Sequence, residues 1–213
     1  MNEESSYQAI IKIVLIGEAS VGKTSLLIRY SESRFDPTLK ATMGMDFVSK
    51  DLVISGQSVR AQFWDTAGQE KFKALASSYF KVADGLVFVY DVTRRESLAK
   101  AAASASEVEA LGPKNAVRLL VGNKSDLVAS RQVTPEEGKR LAEEKGMFFF
   151  ETSAMTNEDG CVNKAFDCIV EEATKRCLEF IKKMNAEDGN QEQPLGRPIG
   201  KQNLQKSNGC CSM

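Results

Sequence analysis

Three short stretches carry residue types that can bind phosphates and do chemistry on them. The octet Gly17-Glu18-Ala19-Ser20-Val21-Gly22-Lys23-Thr24 follows an apolar run and opens a helix-like segment, so it reads as a phosphate-binding loop. Glycines at both ends let successive backbone N–H groups face one anion, and the helix behind adds the positive end of its dipole. Lys23 can then reach the β- and γ-phosphates, and the Thr24 hydroxyl can bind Mg²⁺. Farther along, Asp65-Thr66-Ala67-Gly68-Gln69-Glu70 follows an apolar stretch ending near Trp64. An Asp at that place can hold Mg²⁺ through water, the Gly68 N–H can meet a γ-phosphate, and Gln69 can orient an attacking water. The third stretch, Asn123-Lys124-Ser125-Asp126, can select a base. A carboxylate accepts from guanine N1–H and the N2 amine, a donor pair that adenine lacks, while the Lys124 stem can cover the ring.

These stretches need a scaffold. Apolar runs at 10–16, 85–90 and 117–122 are short, β-branched or aromatic, and end in Gly, Asp or Asn, which suits buried parallel strands. Residues 46–54 and 58–64 read as two further strands joined around Gly56, a hairpin at the sheet edge, and Met147-Phe148-Phe149-Phe150 as a last one. From about 157 to 184, Val162, Ala165, Phe166, Ile169, Val170, Ala173, Cys177, Phe180, Ile181 and Met184 form a helical stripe, with Thr156 and Asp159 as a plausible N-terminal cap. Strands alternating with helices predict a doubly wound α/β fold: a mostly parallel six-stranded sheet with about five helices and the ligand at the carboxyl ends of the strands. From 185 the text turns to Asn, Gln, Gly, Pro and Lys without periodicity, which predicts a disordered tail.

Composition narrows the chemistry. A chain of 213 residues with 42% hydrophobic and 27% charged content supports one core and one domain. The formal charge of −1 gives no reason to expect nucleic acid as a partner. There is no histidine, which removes Ser-His-Asp and Cys-His chemistry together with the commonest zinc ligand. Cys161, Cys168 and Cys177 lie in a helical pattern, and Cys210 and Cys211 sit near the end. The odd cysteine count and the absence of a signal peptide point to a reducing compartment, with the first three cysteines as core or helix-face residues. The first residues are polar, no apolar run approaches the ~20 residues of a membrane span, and Asn2 excludes N-myristoylation.

With these motifs in this order and spacing, the chain resembles a small GTPase of the Ras superfamily, and within it a Rab. The resemblance runs from about residue 9 to 184 and resumes at the terminal cysteines. Its Rab character lies in Met-Asp-Phe (45–47), Trp-Asp-Thr-Ala-Gly-Gln-Glu-Lys-Phe (64–72), Ser-Ser-Tyr-Phe-Lys (77–81) and Val-Tyr-Asp-Val-Thr (89–93). Phe35-Asp36-Pro37-Thr38-Leu39 with Val-Tyr-Asp-Val-Thr-Arg-Arg is most similar to the Rab-eighteen branch. The resemblance implies a flexible start at 1–8, a GTPase domain at 9–184 and a hypervariable tail at 185–213. It implies a GTP/GDP switch that hydrolyses GTP and recruits effectors to intracellular membranes in vesicle trafficking.

Roles follow residue by residue. Glu18, Ala19, Ser20, Val21, Gly22, Lys23, Thr24 and Ser25 would line the phosphates, with Thr42 and Gly68 sensing the γ-phosphate. Thr24, Thr42 and Asp65 would hold Mg²⁺, and Gln69 would position water. Guanine would sit among Phe35, Asn123, Lys124, Asp126, Ser153, Ala154 and Met155. Phe47, Trp64 and Tyr79 match the aromatic triad shown to effectors, and Cys210 and Cys211 the geranylgeranylated pair. The implied partners are an exchange factor, an activating protein with an arginine finger, effectors, a GDP dissociation inhibitor, an escort protein and a geranylgeranyl transferase. The implied state is a monomer on the cytoplasmic face of an intracellular membrane, at the endoplasmic reticulum, the Golgi or a lipid droplet, cycling with cytosol.

Four positions depart from the family pattern. Leu39 replaces a tyrosine that can close over the γ-phosphate, Met155 replaces a lysine, Ala19 adds a methyl beside the attacking water, and Ala74 removes a phosphorylatable hydroxyl. Two other classes fit a phosphate loop: a kinase or ATPase, which the Asn123-Asp126 pair opposes, and a scaffold that binds nucleotide without hydrolysis, which Thr24, Thr42 and Gln69 oppose.

Overall fold

The computed structural model describes residues 7–39, 42, 45–66 and 80–187. In chain order the elements are β1 (Ala9–Ile16), α1 (Lys23–Glu32), β2 (Met45–Ile54), β3 (Gln57–Thr66), β4 (Gly85–Asp91), α2 (Arg95–Leu111), β5 (Val117–Asn123), α3 (Pro135–Glu144), β6 (Phe148–Thr152) and α4 (Cys161–Glu187), with 3₁₀ turns at Val128–Ser130 and Glu158–Gly160. One six-stranded sheet runs in the order β2-β3-β1-β4-β5-β6. All neighbours are parallel except β2 and β3, an edge hairpin in full register from Met45↔Thr66 to Ile54↔Gln57. Its turn is Ser55-Gly56 with φ of 52° and 77°. Positive φ at both central residues gives the turn whose twist matches the flanking strands. Four α-helices and two 3₁₀ turns are present among the described residues, against the five helices expected.

Two apolar layers explain why the parallel strands read as continuous hydrophobic runs. On one face Ile11, Ile13, Leu15, Phe63 and Val87 pack against Leu26, Leu27 and Tyr30 of α1 and Phe166 and Ile169 of α4. On the other, Val14, Ile16, Leu86, Phe88 and Tyr90 meet Ala101, Ala105 and Val108 of α2 and Ala142 of α3. Every residue of β4 is therefore buried. The Tyr30 ring stacks on Phe166 at 4.9 Å and meets the edge of Phe63 at 5.5 Å, tying α1 to α4 and the sheet. Thr134 and Glu137 form a reciprocal capping box that fixes the start of α3 behind Pro135.

The last helix departs from expectation at both ends. Asn157 and Asp159 have φ of 49° and 51°, so the chain makes a 3₁₀ turn before α4 begins at Cys161. The cap is made by Asn157, whose Oδ1 accepts from the Val162 N–H at 2.9 Å, and not by Thr156, whose own N–H donates to Ser153 Oγ. The helix continues to Glu187. Its stripe is buried from Val162 to Ala173, but Phe180 and Met184 are about half exposed because the helix there has run past the sheet. Parallel pairing leaves the carboxyl ends of β1, β3, β4, β5 and β6 at one edge, where Asp91 faces Asn123 and Asn123 faces Thr152.

Candidate functional site

A cleft of about 400 Å³ opens at that edge, within the range of small-molecule sites. One end is lined by Ala19, Ser20, Gly22, Lys23, Thr24 and Ser25, the other by Phe35, Asn123, Lys124, Asp126, Ala154 and Met155. Gly22 starts α1 in the left-handed region at φ 96°, and no side chain caps the first turn. A Cβ on Gly22 would lie 2.3 Å from Asn123 Nδ2, so the close approach of these loops requires glycine. The uncapped N–H groups of α1 and the helix dipole favour an anion at this end.

Lys23 is buried, and its Nζ donates to the Gly17 and Glu18 carbonyls at 2.8 and 2.9 Å. Burial pulls its pKa below the usual lysine value, with Asp65 and Glu18 opposing. The Glu18 carboxylate pairs with Lys100 of α2, with Arg94 3.6 Å off, and Glu18 is not among the residues lining the cleft. Arg94 also donates to the Ala19 carbonyl at 3.2 Å. Val21 is fully buried, so only its backbone can meet a ligand.

Beside Lys23, three oxygen ligands converge. Thr24 Oγ1 donates to Asp65 Oδ2 and lies 2.6 Å from Thr42 Oγ1, which is 3.5 Å from the same carboxylate oxygen. Asp65 Oδ1 is buried without a hydrogen-bond partner among the described residues. Burial raises the Asp65 pKa, against the Thr24 hydrogen bond and the Lys23 charge. Two hydroxyls and a carboxylate, one of whose oxygens is buried and orphaned, form the hard, all-oxygen set that Mg²⁺ takes while keeping several waters.

The base end is held differently. Asn123 is buried; its Nδ2 donates to the Val21 carbonyl at 2.9 Å, and its Oδ1 accepts from Ala154 N–H and Thr152 Oγ1. It therefore ties the phosphate loop to the Thr152-Ser153-Ala154 strand end. Lys124, at φ 67°, pairs with the buried Asp91 carboxylate at 2.7 Å. Burial raises the Asp91 pKa, but hydrogen bonds from Lys124 and Thr93 outweigh it and hold the carboxyl below its usual value. Asp126 lines the cleft with no side-chain partner among the described residues, so its carboxylate is free to accept from a ligand. Ser153 is buried with its Oγ taking the Thr156 N–H, which leaves the backbone as its means of reaching a ligand. Met155 is 58% exposed at the cleft rim, and Phe35 packs partly on the core beside it.

Phe47 and Trp64 are cross-strand neighbours with ring centroids 4.9 Å apart, and Phe47 is 45% exposed. The expectations for Gly68, Gln69, Ala74, Tyr79, Cys210 and Cys211 lie outside the described residues. Sequence motifs missed Arg29, Arg94, Lys100 and Asp91, all of which hold site residues. Asp91 was marked by its place at the end of an apolar strand and within Val-Tyr-Asp-Val-Thr (89–93), but neither gave its role.

The Ras family sequence profile matches residues 12–175. Among similar proteins, the Ras-related protein RABA5a of Arabidopsis thaliana is 38% identical over 99% of this chain and 97% of its own. RABA5c of the same plant is 37% identical, covering 99% and 98%, and RABA4a is 39% identical, covering 95% and 92%. These relatives lend no support to the Rab-eighteen subgroup.

Proposed function

The chain belongs to the Ras family and within it to the Rab small GTPases, which hydrolyse GTP as switches in vesicle trafficking, and on that premise we propose how its own residues do so. The cleft takes GTP or GDP with a Mg²⁺ ion. Thr24, Thr42 and Asp65 would hold the ion, directly or through water; the orphaned Asp65 Oδ1 is the observation that carries this reading. When bound, the ion neutralises charge on the β- and γ-phosphates. Lys23 gains an anionic partner in place of two carbonyls, and the α1 N–H groups close on the phosphates. Asp126 accepts from guanine N1–H and N2, the Lys124 stem and Met155 flank the ring, and Phe35 meets its edge.

Hydrolysis rests on positioning. Gln69 orients the water, Gly68 and Thr42 report the γ-phosphate, and the absence of any histidine leaves no good general base near neutrality. Intrinsic turnover is therefore slow, roughly 10⁻⁴ to 10⁻³ s⁻¹, and an activating protein's arginine raises it about 10³- to 10⁵-fold. Effectors would read the nucleotide state at Phe47, Trp64 and Tyr79. Exchange factor, GDP dissociation inhibitor, escort protein and geranylgeranyl transferase complete the cycle, the last modifying Cys210 and Cys211. No helix among the described residues is long and apolar enough to cross a membrane. Lipid on both thiols would attach the chain to the cytoplasmic face of an intracellular membrane.

Displacement of a fluorescent GDP tests the reading. Unlabelled GTP should compete at sub-micromolar concentration and ATP should fail at millimolar concentration, while chelating Mg²⁺ should speed GDP release. Displacement by micromolar ATP would remove the guanine assignment.

A further inference from the structure

Arg29 sits on α1 six residues beyond Lys23, about 9 Å along the helix axis, and has no place in the phosphate, metal or base sets above. Its half-buried guanidinium spans two distant parts of the chain. Nε donates to the Ala154 carbonyl at 2.8 Å, one terminal nitrogen to the Met155 carbonyl at 2.9 Å, and the other to the Ser33 carbonyl at 2.9 Å. Ser33 is the C-cap of α1 at φ 56°, and its own N–H returns to the Arg29 carbonyl at 3.0 Å.

The first two acceptors belong to residues whose other side lines the base end of the cleft. Ala154 is thereby gripped through both of its backbone groups. Its N–H is taken by Asn123 Oδ1 and its C=O by Arg29 Nε. Met155 brings only its backbone carbonyl to this clamp, and its 58% exposed side chain contributes little to holding the loop. A planar guanidinium with fixed donor directions suits three separate carbonyls; a lysine ammonium on a flexible stem does not.

We propose that Arg29 is a positioning residue for nucleotide retention, joining the helix that starts at the phosphates to the loop that closes over the base. It does not touch the reacting atoms. The proposal rests on the guanine nucleotide occupying this cleft. Phosphates grip the first turn of α1 and the base grips Ser153–Met155, so the clamp makes the two grips one rigid frame. Without it the loop can open while the phosphates stay bound, and release is the step that accelerates.

The test compares full-length wild type with Arg29→Ala and Arg29→Lys, each loaded with fluorescent GDP for release and with GTP for single-turnover hydrolysis. Losing a charge-assisted hydrogen-bond fork should speed GDP release about 10- to 100-fold in Arg29→Ala. Arg29→Lys should recover only part of that, and hydrolysis of GTP already bound should stay within about twofold of wild type. A merely structural role would slow hydrolysis and lower the melting temperature of the GDP-bound protein along with the faster release, and that joint change would overturn the proposal. So would release within about twofold of wild type in both variants. Should Arg29→Ala not fold, Arg29→Lys alone decides. A wild type that fails to retain GDP would instead overturn the nucleotide site itself.

Discussion

At the base end of the cleft, Asn123 and Lys124 already have protein partners, whereas at the phosphate end Asp65 Oδ1 has none among the described residues and the buried Lys23 ammonium makes its hydrogen bonds to two neutral carbonyls. The base end can be built before a ligand arrives, so binding there costs little ordering. At the phosphate end burial pushes the Lys23 and Asp65 pKa values toward the neutral forms, and their mutual attraction only partly offsets it. Phosphate and metal relieve both groups at once. Affinity should therefore be concentrated in the phosphates and specificity in the base, an arrangement that lets GTP and GDP bind tightly while a single phosphate decides the state.

The sharpest way to break this asymmetry is Lys23→Ala. Removing one member of a buried charge pair costs about 2–5 kcal/mol, so GDP affinity should fall by roughly 30- to 4,000-fold. Titration calorimetry checks it, and a loss below tenfold would mean that the phosphate end is not where affinity resides. Next comes Gly22→Ala at the seam between the two ends. The new Cβ meets Asn123 Nδ2 at 2.3 Å in a left-handed backbone, so the Asn123 bridge to Val21 must give way. Strain of about 1–3 kcal/mol is expected, read as a melting temperature lower by roughly 3–10 °C and as faster GDP release. Unchanged melting and release would show that the two loops are not mechanically joined at this glycine.

Asp126→Ala leaves the protein's own contacts intact because the Asp126 side chain has no partner among the described residues, its one bond being a backbone carbonyl that accepts from the Val128 N–H. It should therefore weaken GDP binding by about 1–3 kcal/mol without moving the melting temperature of the nucleotide-free protein. Equal loss of stability and affinity would assign Asp126 to the scaffold. Competition with inosine diphosphate, which lacks the N2 amine, should no longer distinguish the two bases in this variant.

Much of this architecture could be read from residue order. Short apolar runs ending in Gly, Asp or Asn marked the strands and placed the three motifs at their carboxyl ends, where the structure brings Lys23, Thr24, Asn123 and Asp126 around one cleft with Asp65 buried behind Thr24. What escaped were residues whose partners are backbone carbonyls far off in sequence. Arg29 reaches Ala154 and Arg94 reaches Ala19, and a carbonyl leaves no mark on the residue that carries it. The start of α4 was misplaced for a related reason: Asn157 and Asp159 enter the left-handed region, a conformation that competes with the helix their neighbours' periodicity suggested. The stripe through Phe180 and Met184 also continued past the sheet, since periodicity records the helix and not the extent of what it packs on.

The smallest effect belongs to Asp91, which supports the base end from behind. Its carboxylate is 2% exposed and takes Lys124 Nζ at 2.7 Å together with the Thr93 N–H and hydroxyl. Those bonds overcome the burial that would raise its pKa and leave it below the ordinary value. A depressed folded-state pKa means that stability is present above the unfolded value of about 3.9 and is lost as pH falls through the lower folded value. Asp91→Asn keeps the shape but not the charge. At pH 7 the variant should melt on the order of 5 °C below wild type. As the pH drops below about 4, the unfolded chain takes up the Asp91 proton first, so the gap between wild type and variant should start to narrow there and close as pH falls through the lower folded value. A gap that stays constant from pH 7 to pH 3 would show that Asp91 acts by packing alone. A gap that closes would place a charge beneath Lys124, so that even the prebuilt end of the cleft depends on an ion pair, one whose partner the protein supplies instead of the ligand.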